Sequence, residues 1–121
     1  MDHVTRKLYR MKADILKAVA HPVRLAIIDA VADGEMCVND IARKVQSERS
    51  NVSRHLAVMV KGGILSSRKD GLMVYYSLRT PCIVNFFCCV EDVLRAQLHE
   101  NNAALSRLSR SSSRPAATLQ P

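Results

Sequence analysis

Tryptophan is absent, and three tyrosines and two phenylalanines are the whole aromatic complement of the 121 residues. So few rings leave little material for the stacking platforms that hold single-stranded nucleic acid. Apolar runs are short as well. The richest, Ile83–Val90, is interrupted by Asn85 and falls far below the ~18 residues that a membrane-spanning helix needs. The opening stretch MDHVTRKLYRMK carries charge where a secretory signal would carry its apolar core, so a cytoplasmic protein with no membrane partner is expected. No Gly-rich phosphate loop, HExxH pair or nucleophile placed beside a base occurs, which argues against an enzyme. There is no internal repeat. The four cysteines, Cys37, Cys82, Cys88 and Cys89, stand in a chain expected to stay in the cytosol and so read as thiols rather than a disulfide framework.

What the chain does have is positive charge. Eighteen Lys and Arg stand against 11 Asp and Glu, a formal net charge of +7, and most of the surplus lies in residues 1–80. A small basic domain is drawn to polyanions. The length suits one domain with a modest core.

Periodicity divides the chain. Val4, Leu8, Met11 and Ile15 form the apolar stripe of a first helix over about 2–19. His21-Pro22 breaks it, and Pro22 opens a second helix to about Ala32, with Val23, Ala26, Ile27, Ala30 and Val31 facing inward. A short third helix covers Val38–Val45. After a turn at Gln46-Ser47 a fourth runs to about Lys61, with Val52, Leu56, Met59 and Val60 inward. Gly62-Gly63 ends it. The period then changes from 3.6 to 2: Ile64–Lys69 and Leu72–Leu78 read as strands joined by an Asp70-Gly71 turn. Pro81 opens a last helix, about Cys82–Leu105, and residues 106–121 read as a disordered basic tail rich in Ser, Arg and Pro. The expected fold is mainly α with a small β-hairpin, in the order α-α-α-α-β-β-α. That order is a winged helix-turn-helix spanning residues 1–105.

Such a motif lays its second helix in the major groove of duplex DNA. Arg49, Ser50, Asn51, Ser53, Arg54 and His55 lie on or beside the polar side of the fourth helix. Arg can fork onto guanine, Asn can pair with adenine, and Ser can reach a phosphate or a base edge. Arg68 and Lys69 flank the hairpin tip and suit the backbone or minor groove of flanking DNA. His55 fits equally well as a half-buried histidine satisfied by the fold.

The segments LKAVAHPVRLAIIDAV, MCVNDIARKV, SNVSRHLAVMVKGGIL and SRKDGLMVYYSL carry a family likeness. Over residues 16–78 the chain resembles the ArsR/SmtB family of metal- and thiol-responsive transcriptional repressors. The resemblance implies a homodimer paired mainly through its first and last helices. It also implies binding to an imperfect palindromic operator in double-stranded DNA, with no cofactor required, and release by an inducer. The chain departs from the pattern at Ser47-Glu48, where the family has an apolar residue and then a capping Ser; Ser47 is expected to cap one residue early.

Family effector sites do not transfer intact. The Cys-x-Cys pair of arsenic-sensing members reads Cys37-Val38-Asn39 here, and the last helix has no His over residues 80–96. What remains is Cys82, Cys88 and Cys89, with Cys37 elsewhere, and His3 and His99 as conceivable extra ligands. Thiolates favour As(III), Sb(III), Cd(II) or Zn(II). On a continuous helix Cys82 and Cys89 would stand ~10.5 Å apart along the axis, and Cys88 and Cys89 would diverge by ~100°. A three-thiolate site therefore calls for Cys37, a partner subunit or an unwound first turn. The inducers rank as trivalent arsenic or antimony, then a divalent thiophilic metal, then a redox or persulfide signal. Buried cysteines that merely pack, and a protein-interaction adaptor that ignores DNA, are the other readings.

Overall fold

The computed structural model describes residues 1–108; the expected tail beyond Leu108 lies outside the described residues. The elements are α1 (His3–Lys17), α2 (Pro22–Val31), β1 (Met36–Cys37), α3 (Val38–Val45), α4 (Arg49–Lys61), β2 (Leu65–Asp70), β3 (Met73–Leu78) and α5 (Ile83–Leu108). They fall into two compact units divided between Pro81 and Cys82.

Local chemistry sets the helix ends in the first unit. The Asp2 carboxylate accepts from the Thr5 N–H at 2.6 Å and caps α1. Hydrogen bonding from the Thr5 side chain, and then from its backbone N–H, holds the Asp2 carboxyl below the ordinary value. His21 caps α2 through Nδ1, which accepts from the Val23 N–H at 3.1 Å, and Pro22 takes the first helical position. α3 ends at Gln46, which adopts the left-handed conformation at φ 56°. The Ser47 N–H then reaches back to the Ala42 carbonyl at 3.1 Å, closing a Schellman-type turn that aims α4 away from α3. Gly62 and Gly63 divide the end of α4 between them. Gly63 supplies the positive φ of 80°. Gly62 supplies clearance, because a methyl group there would stand 3.0 Å from the Ala18 side chain.

The core is a contact of three helices with the base of the sheet. Ile27, Ile28, Ile41, Val52, Leu56 and Met59 are fully shielded from solvent, and Val31 and Leu65 nearly so. Each such side chain contributes roughly 1.5–3 kcal/mol on leaving water. α1 stands apart from this core. None of its residues is buried, and Val4, Leu8, Met11 and Ile15 remain about half exposed.

The hairpin is part of a three-stranded antiparallel sheet in the order β1-β3-β2. The third strand, β1, was not expected: Met36 pairs with Tyr76 and Cys37 with Tyr75. Two residues are too few to show a period, and their pairing is made by a partner almost forty positions away. The hairpin turn also differs by one residue. Asp70 pairs with Met73, so the loop is Gly71-Leu72 rather than Asp70-Gly71. Gly71 has φ 62° and Leu72 has no positive φ, the pattern of a type II′ turn with glycine first.

Among the described residues the second unit consists of Cys82 and α5, which begins at Ile83 and continues to Leu108, three residues past the expected end. Phe86, Val90, Val93, Leu94 and Leu105 are all close to half exposed or more, and the helix has no buried residue. Among the described residues no helix is long and apolar enough to cross a membrane.

Candidate nucleic-acid interface

α4 divides by face. Val52, Leu56 and Met59 anchor it in the core, at four- and three-residue spacing. The opposite side presents Arg49, Ser50, Ser53 and Arg54, all exposed, with Asn51 half buried at its edge. These polar groups are partly preorganised. The Asn51 amide donates to Ser47 Oγ at 2.9 Å, and its carbonyl oxygen accepts from the Arg54 guanidinium at 2.9 Å. Asn51 thereby holds Arg54 against the helix and ties both to the α3–α4 turn. Asn39, Arg43, Gln46 and Arg49 line an open groove at that turn, where the α4 N-terminus adds free amides and partial positive charge.

Ser47 does not cap α4. Glu48 occupies the cap position with no side-chain cap bond, and the Ser47 hydroxyl serves Asn51 instead. The helix start thus gives up one capping bond, while the hydroxyl steadies a polar side chain on the outer face.

His55 faces the other way from its polar neighbours. Its Nδ1 accepts from Arg24 Nε at 3.1 Å, and its ring lies 4.3 Å from that of His21, centroid to centroid. Partial burial, with His21, Arg24 and Arg54 nearby, lowers its pKa below 6.5. Of the two readings open in the sequence, the geometry matches a histidine satisfied by the fold. The Arg24 guanidinium also reaches the carbonyls of Lys17 and Ala18, each at 3.4 Å. Arg24 was not among the expected site residues. Its place at the second position after His21-Pro22 signals a helix start and gives no hint of a partner 31 positions on.

At the wing, Lys69 is exposed and Arg68 is engaged. The Glu35 carboxylate, just before β1, accepts from Arg68 Nε at 2.8 Å. Asp70 lies 3.7 Å from the same guanidinium, which also sits 4.8 Å over the Tyr75 ring. Glu35 is held below its ordinary pKa by the hydrogen bond from Arg68, and Arg68 is raised in return. Glu35 takes the Nε and Nη2 donors, so a phosphate competes with it for that edge and for the charge of Arg68.

The cysteines separate. Cys37 is buried in β1, while Cys82, Cys88 and Cys89 are exposed. Cys82 stands in the turn before α5 rather than on the helix. Among the described residues no three His, Cys, Asp or Glu side chains converge as a metal site, and that includes His3 and His99.

Residues 21–67 match the sequence pattern described as "Bacterial regulatory protein, arsR family". An HTH-type transcriptional regulator of Mycobacterium tuberculosis, Rv0081, is 31% identical over 102 residues, covering 84% of this chain and 90% of the relative. This chain belongs to the arsR family of bacterial transcriptional regulators. Its fold is the winged helix-turn-helix of that family. NolR from Sinorhizobium fredii superposes with a TM-score of 0.70 at 27% identity, over 77% of this chain and 93% of NolR. The homodimeric winged helix-turn-helix domain of Mb0332 from Mycobacterium bovis gives 0.70 at 27% identity, over 83% and 93%. In this ArsR-family chain the helix-turn-helix is formed by α3 and α4, and the wing by β2 and β3.

Proposed function

We propose that this ArsR-family regulator is a homodimeric repressor that sets α4 of each subunit into the major groove of an imperfect palindrome and leaves the DNA when a thiophilic inducer binds its cysteines. The observation that carries the DNA-binding half is the division of α4. One side is locked in the core, and the other presents Arg49, Ser50, Ser53 and an Arg54 steadied by Asn51. Lys69 at the wing adds a phosphate contact. The homodimeric state of the Mb0332 domain and the bare apolar stripes of α1 and of α5 support pairing through those helices. A C2 pair puts two copies of α4 about one DNA turn apart, ~34 Å, as a palindrome requires.

For the inducer, the accessible thiols are Cys82, Cys88 and Cys89. Cys88 and Cys89 are adjacent on one helix and diverge, so a trigonal thiolate site has to be completed by a second subunit. Trivalent arsenic or antimony suits such a site, and Cd(II), Zn(II) or a persulfide is the second reading. Cys37, in the sheet, is a ligand only if β1 opens.

The deciding experiment is a binding titration on an operator selected from a random duplex pool, at several salt concentrations. As(III), Sb(III), Cd(II), Zn(II), persulfide and peroxide are then added in parallel. Binding that falls steeply with salt and far exceeds that to scrambled duplex is expected. Equal binding to all sequences would leave only a basic adaptor. The Cys88→Ser/Cys89→Ser variant is expected to bind DNA normally and ignore the inducer. A normal response from that variant would reduce both residues to packing.

A further inference from the structure

His55 stands one residue after Arg54 on α4 and is turned from the groove-facing side toward α2. Three contacts converge there. Arg24 donates to His55 Nδ1; the same guanidinium donates to the Lys17 and Ala18 carbonyls at the exit of α1; and the His21 ring, which caps α2 through its own Nδ1, lies against the His55 ring. Arg24 thus joins α1, α2 and α4 at one point, and the joint requires an imidazole that accepts. A proton on His55 Nδ1 would set a second donor and a second positive charge against the guanidinium, at the present separation of 3.1 Å. The charged or titratable groups acting on His55 are His21 and Arg24 from α2 and Arg54 from α4. None is an acid, so nothing there would compensate the added charge.

We propose that His55 is a pH-sensitive positioning residue of the DNA-reading helix: its protonation expels Arg24, loosens α4 from α2 and the end of α1, and weakens duplex binding under mildly acidic conditions. The direction is diagnostic. A histidine that touched DNA phosphate would bind a proton more tightly in the complex, and acid would strengthen binding. A histidine holding an arginine gives the opposite sign. The lowered pKa of His55 agrees in direction with the hydrogen bond. The device rests on α4 being the DNA-binding helix, so one readout is chosen that needs no DNA.

The probe is a fluorescent duplex pool of mixed sequence, bound at fixed ionic strength from about pH 7.5 to about pH 5.5, across the range where histidine titrates. Affinity of the wild type is expected to fall roughly fivefold over that span, within the limit set by one linked proton. His55→Asn retains an oxygen near the Nδ1 position that can accept from Arg24 but does not titrate. It is expected to bind within about twofold of the wild type at the upper pH and to lose the acid-induced weakening. Arg24→Gln removes the opposing cation and is expected to flatten the profile as well. NMR titration of the imidazole in the free protein is expected to show His55 accepting at Nδ1, with a midpoint below 6.5 in the wild type and higher in Arg24→Gln. A wild-type midpoint above 6.5, wild-type binding that tightens in acid, or identical pH profiles for wild type and His55→Asn would overturn the proposal. A protein that binds no duplex at any pH refutes the DNA-binding reading, and the imidazole titration still decides whether His55 and Arg24 form the switch.

Discussion

Gln46 is the one described non-glycine residue with positive φ, 56°, and it sits at the corner of the helix-turn-helix. An L-residue pays roughly 1–2 kcal/mol for that conformation, which glycine largely avoids. Gln46→Gly is therefore expected to raise the unfolding free energy by about 1 kcal/mol, less the extra entropy of the unfolded glycine. The check is a urea midpoint that shifts upward at unchanged m-value. On the outer face, Arg54→Ala is expected to weaken operator binding by about 1–3 kcal/mol while leaving the melting curve in place, as fits the loss of a base-reading contact. Asn51→Ala tests the bracing role, with an expected smaller loss at the same position of the operator. The exposure of this face was legible in the sequence because Val52, Leu56 and Met59, at helical spacing, fix which side of α4 turns inward. The inward turn of His55 was one of two equal readings there, and what decides between them was not legible. It depends on Arg24, and nothing local to either segment announces a hydrogen bond across 31 positions.

At the scale of elements, the helices were legible to within a few residues, and α3 to the residue, because each carries a run of apolar positions and a distinct stop. β1 was hidden for the opposite reason: two residues gain strand character only from the partner strand. The one-residue error at the hairpin has a similar cause. Asp70-Gly71 and Gly71-Leu72 are both plausible loops, and only the pairing of Asp70 with Met73 chooses between them. Packing of α4 gives the firmest stability test. Leu56 is fully buried, and Leu56→Ala is expected to cost about 2–5 kcal/mol in denaturant unfolding. The wing gives a test of function. Glu35 occupies the Arg68 guanidinium, so Glu35→Gln is expected to free that cation for phosphate. Duplex binding should tighten, with a slope of log affinity against log salt that steepens by about one. An unchanged slope would assign the pair to ordering the sheet.

For the whole molecule, the candidate inducer site was the least legible part. Thiols announce their chemistry in a sequence, but a coordination site is a matter of which atoms converge, and among the described residues of one chain none do. A site shared by two subunits leaves only half its signature in each. Replacing Leu8 and Met11 on α1 with Lys is expected to lower the sedimentation coefficient from that of a dimer to that of a monomer. Operator affinity should fall with it, because a single α4 reads a single half-site.

The wet apolar stripes of α1 and α5 have a consequence for dosage. If the pair shields them, folding and assembly share one equilibrium, and the melting temperature climbs with protein concentration. Diluted subunits then lose twice, since a solitary chain is softer and carries a single reading helix. The paired form would consequently rise more steeply than in proportion to the number of copies a cell makes, and a cut in synthesis would thin it out of proportion.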